Sequence, residues 1–210
     1  ADGGEVEQCG NGARCIAVYL REHGFPDQPV ITAETKKELL QLTFTPDGEV
    51  RVNMGLPDFS PLAIPLAVEV GADEYSLETS LGKIVFNALS MGNPHAVLLV
   101  DDVDQARVST LGPEIQQNAM FPEGVNVGFM QIMNANAIRL RVYERGAGET
   151  LACGSGACAA VVAGQRYHGL STSVDVSLKG GSLNISRESE GQAVWMTGPA
   201  ETVFTGEISL

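Results

Sequence analysis

Two cysteines stand in matched settings. Cys9-Gly10-Asn11-Gly12-Ala13 and Cys153-Gly154-Ser155-Gly156-Ala157 share the pattern Cys-Gly-(Asn/Ser)-Gly-Ala, and each leads into a run with helical spacing. The glycines let the backbone turn sharply and approach a ligand. The residues after each cysteine open a helix whose first amides lack intrahelical partners. Such an end attracts anions and favours thiolate over thiol, drawing a cysteine below its free pKa of about 8.5. Two copies supply two thiols and a nest of free amides able to hold a carboxylate between two helix ends. That suits inversion of a carbon acid, which needs a base on one face of the carbon and an acid on the other. Two cysteines, one ionised and one protonated, can exchange those roles with direction.

Other residues fit this chemistry but also admit plainer readings. Gly10, Asn11, Gly154 and Ser155 serve equally as turn and cap residues. His95 follows the turn signal Asn93-Pro94 and reads also as an exposed loop histidine. Arg145, beside Glu144 in a glycine-rich turn, is a surface ion-pair partner or a planar fork for a carboxylate. Cys15 and Cys158, past the glycines, are read as core. His23 and His168, at helix ends, and Trp195, in a strand, are assigned to packing and helix electrostatics.

The two cysteine motifs, Met91-Gly92-Asn93-Pro94-His95, Val125-Asn126-Val127-Gly128-Phe129 and Tyr143-Glu144-Arg145-Gly146-Ala147-Gly148-Glu149-Thr150 together resemble the diaminopimelate epimerase family, in its order and along the whole chain. The resemblance implies a PLP-independent isomerase that interconverts LL- and meso-2,6-diaminopimelate for lysine and cell-wall precursor synthesis. It assigns Cys9 and Cys153 as the acid/base pair, with His95 and Glu144 tuning their pKa values, the first as a cation and the second as a carboxylate. Gly10, Asn11, Gly154 and Ser155 would hold the reacting carboxylate. Asn93, Asn126 and Arg145 would hold the distal carboxylate and Glu144 the distal ammonium. A homodimer is implied as well. Relatives of the same fold with another substrate, such as proline racemase or the phenazine-biosynthesis isomerase, are the nearest rivals, and the Asn93, Asn126, Arg145 set speaks for a second amino-acid head. A protein that binds without turnover is the rival of another class.

The elements that must position these residues are mostly strands. Ala13, Ile16, Ala17 and Leu20 predict a short helix stopped by Gly24 and Pro26. Strands are expected at 30–33, 38–44 and 49–54, with Thr45-Pro46-Asp47-Gly48 as a hairpin turn, and again at 67–70, 75–79, 83–90 and 96–100. Gly112-Pro113-Glu114 opens a short helix, and 127–133 and 138–144 are strands. The run 157–167, small and apolar nearly all round, predicts a buried helix. Strands at 174–178, 183–186 and 193–197 and two more short ones reach Leu210. The fold class is α+β, with two similar domains, each a strand-rich sheet or barrel wrapped around a central helix. Residues 1–54 with 199–210 form one domain and 55–198 the other. Only eight residues precede Cys9, whereas roughly ninety residues of strand-forming sequence precede Cys153. The family also begins upstream of Ala1, so the first domain is expected to be truncated at its N-terminus.

Composition narrows the partners. A net charge of −13 over 210 residues argues against nucleic acid and anionic membranes and says little about a zwitterionic substrate; the small amino-acid substrate is what the resemblance implies. No apolar run reaches the ~18 residues of a membrane helix, and Ala1–Glu5 is no signal sequence, so a cytoplasmic location is expected. No metal is expected, because Cys-x5-Cys and Cys-x4-Cys miss the usual zinc spacings and lack histidines nearby. No cofactor is expected either: Lys36, Lys37, Lys83 and Lys179 sit in no PLP-binding context.

Overall fold

The computed structural model describes residues 10–25, 28–35 and 39–207; Cys9 therefore lies outside the described residues, immediately before Gly10. In chain order the elements are α1 (Gly10–Glu22), β1 (Ile31–Glu34), β2 (Leu39–Phe44), β3 (Val50–Asn53), β4 (Tyr75–Thr79), β5 (Gly82–Ser90), β6 (Pro94–Leu99), α2 (Val108–Gln116), β7 (Asn126–Asn134), β8 (Ala137–Glu144), β9 (Gly148–Thr150), α3 (Gly154–Tyr167), β10 (Ser173–Leu178), β11 (Gly181–Ser186) and β12 (Trp195–Gly198). The strands join in one sheet of order β1-β2-β3-β12-β11-β10-β8-β7-β6-β5-β4, with β9 paired to β8.

The centre of this arrangement is α3. From Ala157 to Gly164 every residue is buried, and six of the eight are Ala, Gly or Cys. Small side chains let strands approach on all sides, so the sheet curls around the helix rather than lying on one face of it. One apolar core joins α3 to α1, β2, β3, β8 and β10 to β12. A second lies beyond β5, β6 and β7, under α2. Those three strands are therefore buried on both faces: in β6 Val97 points to the first core, Ala96 and Leu98 to the second. Near-continuous apolar runs such as Pro94–Leu98 follow from that double burial.

Strand β12 links early and late sequence, pairing β11 on one side and β3 on the other, with Met196 opposite Val52. Beyond it, Pro199 accepts a bond from Arg14 Nε at 3.2 Å and Thr202 Oγ1 bonds Glu22 at 2.6 Å. Met196 is fully buried. A Cβ added to Gly10 would collide with its methyl, and one added to Gly154 would lie 2.9 Å from its sulfur. One thioether thus sits beneath both helix starts, and the two glycines are what let it.

Several local expectations are corrected. Residues 67–70 form no strand; Val70 is 78% exposed, and Ala67 bonds instead to the carbonyl of Met120. Helix α2 starts at Val108, not at Gly112. Pro113 is tolerated inside it because the carbonyl it leaves unserved belongs to exposed Ser109 in the first turn. Cys15 is exposed, since α1 buries Ala13, Arg14, Ala17 and Val18 instead. Residues 199–207 form no strand, and 208–210 lie outside the described residues.

If Met196 fills the space under both helix starts, Met196→Ala is expected to lower stability by about 2–5 kcal/mol in urea unfolding. Met196→Leu, nearly volume-conserving, is expected to lose less than about 1.5 kcal/mol. Equal losses would mean that the space closes without the thioether.

Candidate active site

Cys153 is the N-cap of α3, with φ −123° and ψ 109°, and its Sγ accepts the Gly156 amide at 3.4 Å. The sulfur thus takes the place that a Ser or Asp oxygen commonly fills. Ser155 Oγ lies 3.7 Å from the same sulfur. The sequence predicts a thiol with a lowered pKa here, and the structure reverses that for Cys153. Burial, then the charge and hydrogen bonding of Glu144, push the thiol up to about 12, against the Gly156 amide and the Ser155 hydroxyl. With the residue only 5% exposed, desolvation outweighs the helix-end amides. Cys153 therefore stands as a protonated thiol.

Glu144 ends β8 beside this sulfur. Its carboxylate accepts a short bond from Thr150 Oγ1 on β9, so the β8–β9 hairpin folds back to hold it. That hairpin is pinned by a bidentate ion pair, Arg141 Nε and Nη2 to Glu149 at 2.7 and 3.0 Å, with Lys179 at 2.7 Å. Arg141 and Lys179 hold the Glu149 carboxyl down at about 2, against its partial burial.

The adjoining strands carry the amides. The β5–β6 turn, with Gly92 at φ +83°, presents Asn93; β6 and β7 run parallel with His95 opposite Asn126. Asn93 Nδ2 donates to Ser155 Oγ at 3.2 Å, while its Oδ1 faces His95 Nε2 at 2.9 Å. Because that oxygen can only accept, His95 Nε2 carries the proton. His95 is 1% exposed, and burial, followed by repulsion from Arg145, lowers its pKa to about 3. It is a neutral imidazole rather than the expected cation, and it meets Cys153 only through Asn93 and Ser155. Asn126 donates to the Pro94 carbonyl and accepts the Arg145 amide, each at 2.9 Å.

The start of α1 meets this cluster. Asn11 Nδ2 donates to the Ala152 carbonyl at 3.4 Å, and a Cβ on Gly154 would lie 3.2 Å from Asn11 Oδ1. That oxygen is buried and has no hydrogen-bond partner among the described residues. Asn11, Gly154 and the residues around Cys153 therefore share one locus, with Gly10 over the same methionine; Cys9 lies outside the described residues. Among the described residues, the lining of a cavity of about 530 Å³ (Leu20, Arg21, Phe25, Gln28, Ile31, Thr32 and Phe44) includes no thiol, imidazole or carboxylate. Thr150 and Gln116, which holds the backbone of both Val125 and Glu144, were not singled out as functional. For Thr150 the signal was its place in the Glu144–Thr150 turn; for Gln116 nothing in its own helix distinguishes it.

The profile of the diaminopimelate epimerase family matches residues 1–60 and 87–203. Over all 210 residues the chain is 53% identical to the diaminopimelate epimerase of Nitrosospira multiformis and 51% identical to that of Nitrosomonas europaea, covering 76% of each. The chain belongs to the diaminopimelate epimerase family. More distant solved structures share the fold. A probable proline racemase from Agrobacterium radiobacter superposes with TM-score 0.70 at 19% identity over 97% of this chain and 68% of its own. A phenazine biosynthesis protein of the PhzF family from Enterococcus faecalis gives 0.62 at 16% identity over 98% and 74%. In this diaminopimelate epimerase family member no helix among the described residues is long and apolar enough to cross a membrane.

The neutral His95 makes a pH-dependent prediction. Folded, it stays neutral down to about pH 3, while the unfolded chain takes up a proton near 6.5, so its contribution is full above 6.5 and is lost as pH falls toward 3. Between about pH 7 and about pH 4.5 the urea midpoint of the wild type is expected to fall more steeply than that of His95→Gln. Parallel decline of the two would show that His95 is protonated in the folded state.

Proposed function

We propose that this site inverts one α-carbon of 2,6-diaminopimelate, interconverting the LL and meso forms with Cys9 and Cys153 as opposed acid and base. The carrying observation is the neutral, buried Cys153 thiol at the start of α3, against which the start of α1 packs through Asn11 and Gly154. In one direction Cys9, as thiolate, takes the α-proton. The C–H electrons pass into the α-carboxylate, and Cys153 delivers its proton to the opposite face. In the reverse direction the roles exchange. The amides of Gly10, Asn11, Gly154 and Ser155 would hold that carboxylate and stabilise charge developing on its oxygens, as donors do where a transition state gains negative charge.

Glu144 favours the proton on Cys153 through its charge. His95 acts at one remove, by orienting Asn93 and through it Ser155. Asn93, Asn126 and Arg145 suit the distal carboxylate, and Glu144 the distal ammonium. That second head separates this reading from same-fold racemases of one-headed substrates. The reaction as written consumes no cofactor. We further propose action in lysine and peptidoglycan precursor synthesis, in the cytoplasm, as a homodimer whose protomer divides into residues 1–54 with 199–210 and residues 55–198.

Each single variant, Cys9→Ser or Cys153→Ser, is expected to slow epimerisation on the order of 10²–10⁴-fold. The surviving thiolate still takes the proton presented to its own face. From a β-halogenated analogue the C–H electrons then form the bond between the α- and β-carbons while halide leaves with the carbon–halogen pair, so each variant is expected to eliminate from one stereoisomer, with opposite preferences. Elimination from both isomers by either variant would mean one base for both faces and end the two-cysteine reading.

A further inference from the structure

We propose that Gln116 is a positioning residue for recognition of the substrate's distal head, clamping the entry to β7, which bears Asn126, to the turn that bears Arg145. The inference rests on the reading above, in which those two residues meet the distal carboxylate. Gln116 lies in the last turn of α2, and its side-chain Nε2 donates to the carbonyl of Val125 at 3.1 Å and to that of Glu144 at 3.2 Å. Each carbonyl belongs to the residue just before a proposed ligand, Asn126 in one case and Arg145 in the other. A primary amide nitrogen has two N–H groups, so one atom can bridge two carbonyls.

The loops it joins are already in contact on their inner side. The Arg145 amide donates to Asn126 Oδ1 at 2.9 Å, and Arg145 Nη1 donates to the Glu123 carbonyl at 3.3 Å. Gly124, at φ +71°, passes between the stems of Arg145 and Gln116; a Cβ there would stand 3.3 Å from Arg145 Cδ and 3.7 Å from Gln116 Cγ. The path of the Arg145 side chain is therefore set by residues 123–126, and their distance from β8 is set by Gln116. Helix α2 is itself seated closely enough to hold that distance, because a Cβ on Gly112 would collide with the ring of Tyr143. Gln116 bonds neither Cys153 nor the Asn93–Ser155 pair, and the Glu144 carboxylate beside the thiol is held separately by Thr150 on β9, so loss of Gln116 should spare proton transfer and weaken the grip on the far end.

The test is steady-state epimerisation of diaminopimelate by the full-length enzyme carrying Gln116→Met, Gln116→Lys, Arg145→Ala and the Gln116→Met/Arg145→Ala pair. Gln116→Met keeps the length and removes both donors; KM is expected to rise about tenfold with kcat within about threefold of wild type. Gln116→Lys, which again places several donors on one nitrogen, is expected to recover most of the KM. The pair is expected to raise KM by less than the product of the two single effects, because Gln116 acts in part through the arginine that Arg145→Ala removes. A fall in kcat at constant KM, failure of Gln116→Lys to recover binding, or KM effects that multiply in the pair would overturn the clamp. Should Gln116→Met not fold, the Lys variant alone and paired with Arg145→Ala decides: KM near wild type alone and no further change in the pair are required. A wild type without epimerisation, or Arg145→Ala with unaltered KM, would instead sink the distal-head reading itself, which separates the two failures.

Discussion

Two opposing demands fall on the sulfur of Cys153, and the rest of the site is arranged around that conflict. A helix start favours negative charge, through amides such as the Gly156 N–H that reaches the sulfur. Burial among α3, Val142 and Met196 favours the neutral thiol, and the Glu144 carboxylate adds to it. Burial wins. A thiol that is protonated at rest, yet has donors waiting if it ionises, is suited to give a proton and take one back. Glu144 can impose its charge there only because the short β9 strand returns Thr150 to hold its carboxylate, and the Arg141–Glu149 pair keeps that strand in register.

The same burial decides the state of His95. Inside a parallel pair of strands covered on both faces, a charged imidazole would be stripped of water, and Arg145 disfavours a second cation further. The neutral ring is then useful as a fixed donor: it orients the Asn93 amide, whose nitrogen holds Ser155, whose hydroxyl faces the sulfur. His95 is thus linked to the thiol by a chain of hydrogen bonds and brings no charge to it. The whole chain of contacts depends on the β6–β7 register, which sets His95 beside Asn126.

Much of this was legible in the sequence because the signals were local. The all-round small and apolar run from Ala157 predicted a buried central helix, and α3 is one. The Thr45–Gly48 turn closes as a hairpin with Gly48 at φ +86°. The residues singled out between Asn93 and Ser155 converge although they lie on three strands, the turns beside them and the start of a helix. What escaped depended on neighbours distant in the chain. Strand β9 has three residues, too few for a period. The ionisation of Cys153 and His95 is set by burial, which no local pattern records. Cys15 was read as core by type alone, while the buried face of α1 turned out to run through Arg14 and Val18. The proline that seemed to open α2 sits within it, because tertiary packing of Val108 and Ile115 overrides the local preference.

The claim on which everything else rests is that the thiols of Cys9 and Cys153 face each other across one carbon. It is tested most directly by treating the reduced full-length enzyme with a mild oxidant, blocking remaining thiols, digesting, and identifying disulfide-linked peptides by mass spectrometry. Two thiols with no substrate between them should join, each sulfur losing a proton and together two electrons to the oxidant. The account predicts a Cys9–Cys153 linked peptide that forms with loss of activity, is suppressed by diaminopimelate and is reversed by reductant. Cys9 linked to Cys15 instead, or the Cys9 and Cys153 thiols recovered unlinked while activity is lost, would contradict it.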